Sequence, residues 1–299
     1  MDLFWPLVIL RWLHLSSLLA VFGSTLFAHY VTDQAHKRDP LLVRRELACA
    51  WIAFASGIVL VMLALVDMTE EPSSLAAPAL WQAFFLDTGF GGVWAARLIG
   101  LGALVVCVGR VADNGWVRKR TGASAGLSGV LLASLAWLGH AAAGEGPAYF
   151  AGLAAYACHV LAAGAWFGGL LGLAQALSRG PDGAEPRHLT TALEAFSRLA
   201  MAAVMLIVAS GVFSAVLHIA HLTDLVHTTY GLVLMAKVSL FAGVMALAAA
   251  NRWVLLPRWR QQPASATRKA LVQSVVLEQV LGLAVIALAA ALGALAPAD

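Results

Sequence analysis

Three of the nine histidines, His14, His140 and His159, fall inside long apolar runs. An ionisable side chain is costly there and normally faces a bundle interior or a cavity. Imidazole suits copper, zinc, iron and nickel, and softer thioethers favour Cu(I). A neutral imidazole also lets a cation shed water without adding fixed negative charge to a low-dielectric region. Counted at 1.5 Å per residue, His14 lies roughly 13 Å and His159 about 15 Å below the outer surface, with His140 about 6 Å deep. Imidazoles converging near the molecular axis would hold a metal. The alternative is that each histidine bonds a neighbouring carbonyl and steadies its helix.

Other polar groups extend the pattern. His218, His221, Asp224 and His227 recur at three-residue spacing, and Asp67, Met68 and Glu145 lie in connections on the same side of the membrane. Those connections carry no Lys or Arg, so they would attract cations; a merely solvated loop is the competing reading. Lys237, Arg97 and Glu278 are expected below the histidines. An ion pair of Glu278 with Arg198 or Lys237 is the first expectation there, and a gate or proton-coupled step the second.

Helices must position these groups. The 299 residues are 61% hydrophobic and only 12% charged, about half the charge of a soluble domain. Apolar runs of about 20 residues, enough to cross ~30 Å of hydrocarbon, recur along the whole length. The spacing predicts an all-α polytopic membrane protein with eight transmembrane helices near 5–30, 45–66, 91–112, 122–143, 149–177, 191–219, 230–255 and 270–295. The first run lacks a basic start and a cleavage site, so it reads as a retained helix. Arg and Lys cluster in alternate connections, around Arg44-Arg45, Arg118-Lys119-Arg120, Arg187 and Arg258 to Lys269. Positive residues stay cytoplasmic, which places both termini outside.

The chain also resembles itself. The first and fifth helices share His-x7-Phe-Gly, at His14…Phe22-Gly23 and His159…Phe167-Gly168. The second and sixth share Ala55-Ser56-Gly57 and Ala209-Ser210-Gly211. The third and seventh share Phe90-Gly91…Arg97 and Tyr230-Gly231…Lys237. Two tandem four-helix repeats follow, 1–143 and 144–299, oriented alike because each has an even number of helices, and transporters often place sites at such repeat interfaces. Cys49, Cys107 and Cys158 show no paired spacing, so neither a disulfide framework nor a zinc site is expected. No nucleotide loop, nucleophile with its base or paired-carboxylate arrangement is present, which disfavours an ordinary enzyme, and nothing suggests nucleic-acid binding.

Several of these pieces together resemble the CopD family of bacterial copper-resistance and copper-uptake membrane proteins. They are Arg11-x2-His14, Gly139-His140-Ala141-Ala142, His159 through Trp166-Phe167-Gly168-Gly169, and Phe196-Ser197-Arg198-Leu199-Ala200. Tyr230-Gly231 with Lys237, Asn251-Arg252 ahead of Pro257, and Glu278 with Leu281-Gly282 complete the likeness, which spans nearly the whole chain. The resemblance implies an inner-membrane protein that moves copper, as Cu(I) or Cu(II), toward the cytoplasm in cooperation with a periplasmic CopC-type carrier. The His218–His227 cluster is not part of the family pattern. Two other readings remain open: a b-type cytochrome, since four-helix units with intramembrane histidines also ligate haem, and a copper-binding sensor or assembly factor that does not transport.

Overall fold

The computed structural model describes residues 3–30, 40–111, 117–138, 146–178, 186–218 and 221–295, and among them it is helical without strands. In chain order these are α1 (Phe4–Tyr30), α2 (Pro40–Thr69), α3 (Pro78–Asp87), α4 (Gly89–Val111) and α5 (Val117–Ala133), which tightens into a 3₁₀ turn at Ser134–Leu138. Then come α6 (Pro147–Ser178), α7 (Pro186–His218), the short α8 (Asp224–His227) and α9 (Thr229–Ala250). A π turn at Asn251–Leu255 leads into α10 (Leu256–Gln261), and α11 (Ser265–Leu292) follows. Among the described residues eight helices are long and apolar enough to cross a membrane, as the apolar runs predict.

Their starts differ from expectation where proline begins them. Pro40, Pro78, Pro147 and Pro186 each open a helix, since the amide hydrogen proline lacks would have no partner in a first turn. α2 and α7 therefore begin five residues before the expected 45 and 191, and α3 is an additional short helix between α2 and α4.

Large apolar side chains such as Ile99, Val130 and Val216 project outward. With hydrocarbon as solvent, burying apolar surface does not drive helices together, and close packing of small residues takes over. α1 and α6 form the central and most extensive contact. Along it Gly23 meets Gly164 and Gly168, Gly168 meets Leu19, and Phe27 lies on Gly172, so the contact register climbs together along both helices. A Cβ on Gly23 would stand 2.6 Å from Gly168 Cα and 2.7 Å from Gly169 N, closer than any side chain is tolerated. Only glycine fits there.

Around this axis α1, α2, α4 and α5 close a ring, each packed on the next. The other half is different. α7 packs on α6, and α9 and α6 both pack on α11, but α7 and α9 barely touch. That seam is open.

Candidate metal-handling site

His14 is buried and points into the first ring. Its Nδ1 lies 2.9 Å from the Ala53 carbonyl and 3.1 Å from Ser56 Oγ on α2. Its Nε2 is 2.9 Å from Arg97 Nη2 on α4. A guanidinium has no acceptor, so Arg97 donates to Nε2, and Nδ1 must carry the ring hydrogen. Arg97 also donates to the Leu131 carbonyl at 2.5 Å and to Ser134 Oγ, and its guanidinium carbon stands 5.4 Å from the centre of the Trp94 ring. Both nitrogens of His14 are thus engaged.

His159 repeats half of this arrangement. Its Nδ1 is 3.0 Å from Ser210 Oγ on α7. Ser210 spends its own hydrogen on the Leu206 carbonyl at 2.5 Å, so it accepts from His159 Nδ1–H. Lys237 on α9 is near enough for its charge to act on the ring. The Ile207 carbonyl also bonds this ring, and with the hydrogen on Nδ1 the lone pair is carried by Nε2. Glycine flanks both rings: a Cβ on Gly57 would stand 3.5 Å from His14 Cε1, and one on Gly211 3.6 Å from His159 Cε1. Threonine caps recur too, with Thr88 Oγ1 accepting from Gly91 N at 2.9 Å and Thr228 Oγ1 from Gly231 N at 3.0 Å.

The two imidazoles do not share a partner. His14 and Gly23 are nine residues apart, as are His159 and Gly168, which is two and a half turns and about 180° around a helix. Since the glycines face the central contact, the histidines face away from it, each into its own half. Among the described residues no three His, Cys, Asp or Glu side chains gather around a point. His140 and Glu145 lie outside the described residues. Of the outer group, His221 and His227 are exposed, His221 N–H donates to Asp224 Oδ2 at 3.0 Å, and Asp67 and Met68 are exposed at the end of α2. His218 ends α7.

Arg97 sits beside His14 rather than below it. The expected ion pair of Glu278 with Arg198 or Lys237 does not form. Glu278, 2% exposed, accepts from Asn251 Nδ2 instead. Arg198 is exposed; it follows Ser197, and one residue along a helix is about 100° of rotation. His29, near the end of α1, packs on Gly122.

Glu278, Asn251, Arg252, Ser197, Phe196 and Trp166 line a cavity of about 60 Å³ between α6, α7, the π turn and α11. All six belong to the segments that carry the family resemblance. Residues 1–150 match the family model described as Copper resistance protein D-like, N-terminal domain, and residues 190–292 match the model for Copper resistance protein D. The chain is 32% identical over 296 residues to Copper resistance protein D of Pseudomonas syringae pv. tomato, covering 94% of each chain. This chain belongs to the CopD family. Another relative is Inner membrane protein YebZ of Escherichia coli strain K12, 30% identical over 259 residues, covering 85% of this chain and 86% of that one. No solved structure matches. In this CopD chain Asn251, named above only as part of the family resemblance, is the Glu278 partner and is carried by the π turn.

Proposed function

We propose that this CopD chain carries copper across the bacterial inner membrane from periplasm to cytoplasm, as a carrier rather than an enzyme. Copper and the inner membrane are supported by the names of its relatives. The basic connections support periplasmic termini. The paired His–Ser–Gly units, the matched threonine caps and the common register of α1 and α6 support two tandem four-helix repeats of like orientation, 1–143 and 144–299.

The observation that carries the reading is the lone pair of His159 Nε2 within a membrane-spanning helix. Copper docks on that nitrogen. His14 is a separate station in the first half, opened when Arg97 withdraws, and exchanging a guanidinium for Cu(I) leaves the charge of that buried site unchanged. His140 is a further candidate ligand by its sequence position. Asp67, Met68, Glu145 and His218 to His227 gather copper at the outer mouth, where a CopC-type carrier delivers it. Lys237 and Glu278 lie on the way to release. An inside-negative potential assists a monovalent cation by about 2.3 kcal/mol per 100 mV.

The test is copper uptake into proteoliposomes by wild type, His159→Ala and His14→Ala, with folding of each variant checked by thermal melting. Both variants are expected to lose uptake while remaining folded. Wild-type uptake by folded His159→Ala protein would refute the site.

A further inference from the structure

The cavity bounded by α6, α7, the π turn and α11 contains a carboxyl group with no ion-pair partner among the described residues. Among them Glu278 has one hydrogen-bond partner, the uncharged amide of Asn251. Arg252 lines the same cavity but donates through Nη1 to Ser197 Oγ at 2.5 Å. Meanwhile Asn251 Oδ1 is buried with no partner. Asn251 and Arg252 open the π turn, a local departure from α geometry that is frequent at functional sites. Both of its first two side chains line the cavity.

An ionised carboxylate and an orphaned amide oxygen, both withdrawn from water, are each costly. One event relieves both. We propose that Glu278 and Asn251 form a proton-binding site in the second half of the chain. A proton from water in the cavity binds a Glu278 oxygen, the Asn251 amide turns over, and its Oδ1 accepts from the new O–H group. Loss of the proton to the same water restores the Nδ2–H donation seen here. Amide orientation is set by such networks, so the two states differ by one rotation.

The other charged groups on neighbouring elements are engaged or remote. Glu194 pairs with Arg260, Arg268 donates to the Leu177 carbonyl, Arg198 and Arg258 are exposed, and Arg11 donates to the Gly293 carbonyl. His14 is held by Arg97. Lys237 is fourteen residues before Asn251, about 21 Å along α9, and His159 is seven before Trp166, about 10 Å along α6. Arg252 is the charged neighbour that shares the cavity.

The proton site is independent of copper binding at the histidines. Infrared difference spectra of the full chain in phosphatidylethanolamine–phosphatidylglycerol nanodiscs, without copper, between acidic and neutral pH, test it. The wild type is expected to show a titrating protonated-carboxyl band, Glu278→Gln to lose it, and Asn251→Leu to move it to higher frequency by removing the amide bond. A band that persists in Glu278→Gln, one that Asn251→Leu leaves in place, or no titrating band in the wild type overturns the proposal. Should Glu278→Gln fail to fold, the Asn251→Leu shift decides alone. Copper uptake lost in His159→Ala with the band intact separates the two sites.

Discussion

Replacing Gly23 with alanine tests the central contact directly. The new methyl would stand 2.6 Å from Gly168 Cα and 2.7 Å from Gly169 N, and would also run into the Gly164 carbonyl, where ordinary contact begins at 3.4 Å. The obstructing atoms are backbone and cannot turn aside, so α1 and α6 must part by about 1 Å, a gap that forfeits a quarter to a half of each contact's attraction. Overpacking of this kind costs about 1–3 kcal/mol, and the upper end applies where backbone meets backbone. Gly168→Ala meets Leu19 and Gly23 and should cost the same. Once one alanine has separated the helices the second adds less, so the double variant should fall short of the sum. Gly126→Ala and Gly243→Ala are the controls, since nothing lies within 4 Å of a Cβ at either position; each should be neutral or stabilising by up to about 1 kcal/mol. Reversible SDS titration in mixed micelles measures all five variants. If Gly23→Ala is as stable as Gly243→Ala, the backbone contact is not what holds the halves together.

Further outcomes follow from the same geometry. Thr88→Val and Thr228→Val each remove a cap to a glycine amide and should destabilise by about 1 kcal/mol in that titration. Arg97→Met leaves His14 Nε2 without its donor, and copper should bind this variant more tightly than wild type, read by competition with a chromophoric chelator. Glu194→Gln breaks a half-exposed pair with Arg260 and should cost under about 1 kcal/mol. The purified chain should lack a Soret band, because His14 and His159 face away from each other; an intense one would establish the haem reading instead.

The eight spans were legible because each is a long apolar run with few charges, a signal that needs no knowledge of packing. Helix starts were less so: Pro40 and Pro186 were passed over in favour of the first strongly apolar residue, though proline is at home in a first turn. The three motif pairs were each visible as strings. Only the structure joins them, placing the histidine of one, the serine and glycine of the next and the cation of the third in a single cluster. The direction of the histidines was misjudged despite being encoded in the nine-residue offset from Gly23 and Gly168, because which side of the helix faced the axis was unknown. Glu278 was visible as a buried acid. Its partner was not, since opposite charge is the natural guess for a carboxylate and a neutral asparagine on a π turn carries no such signal. His140 and Glu145 stay expectations, lying outside the described residues.

The gap between α7 and α9 has a consequence for how the chain must be handled. Where the first half seals itself with its own side chains, the second borrows a wall from its surroundings, whether acyl tails or a neighbouring protein. Whatever occupies that slot is in effect a ninth span. Harsh delipidation should therefore loosen α9 along its span well before it disturbs His14.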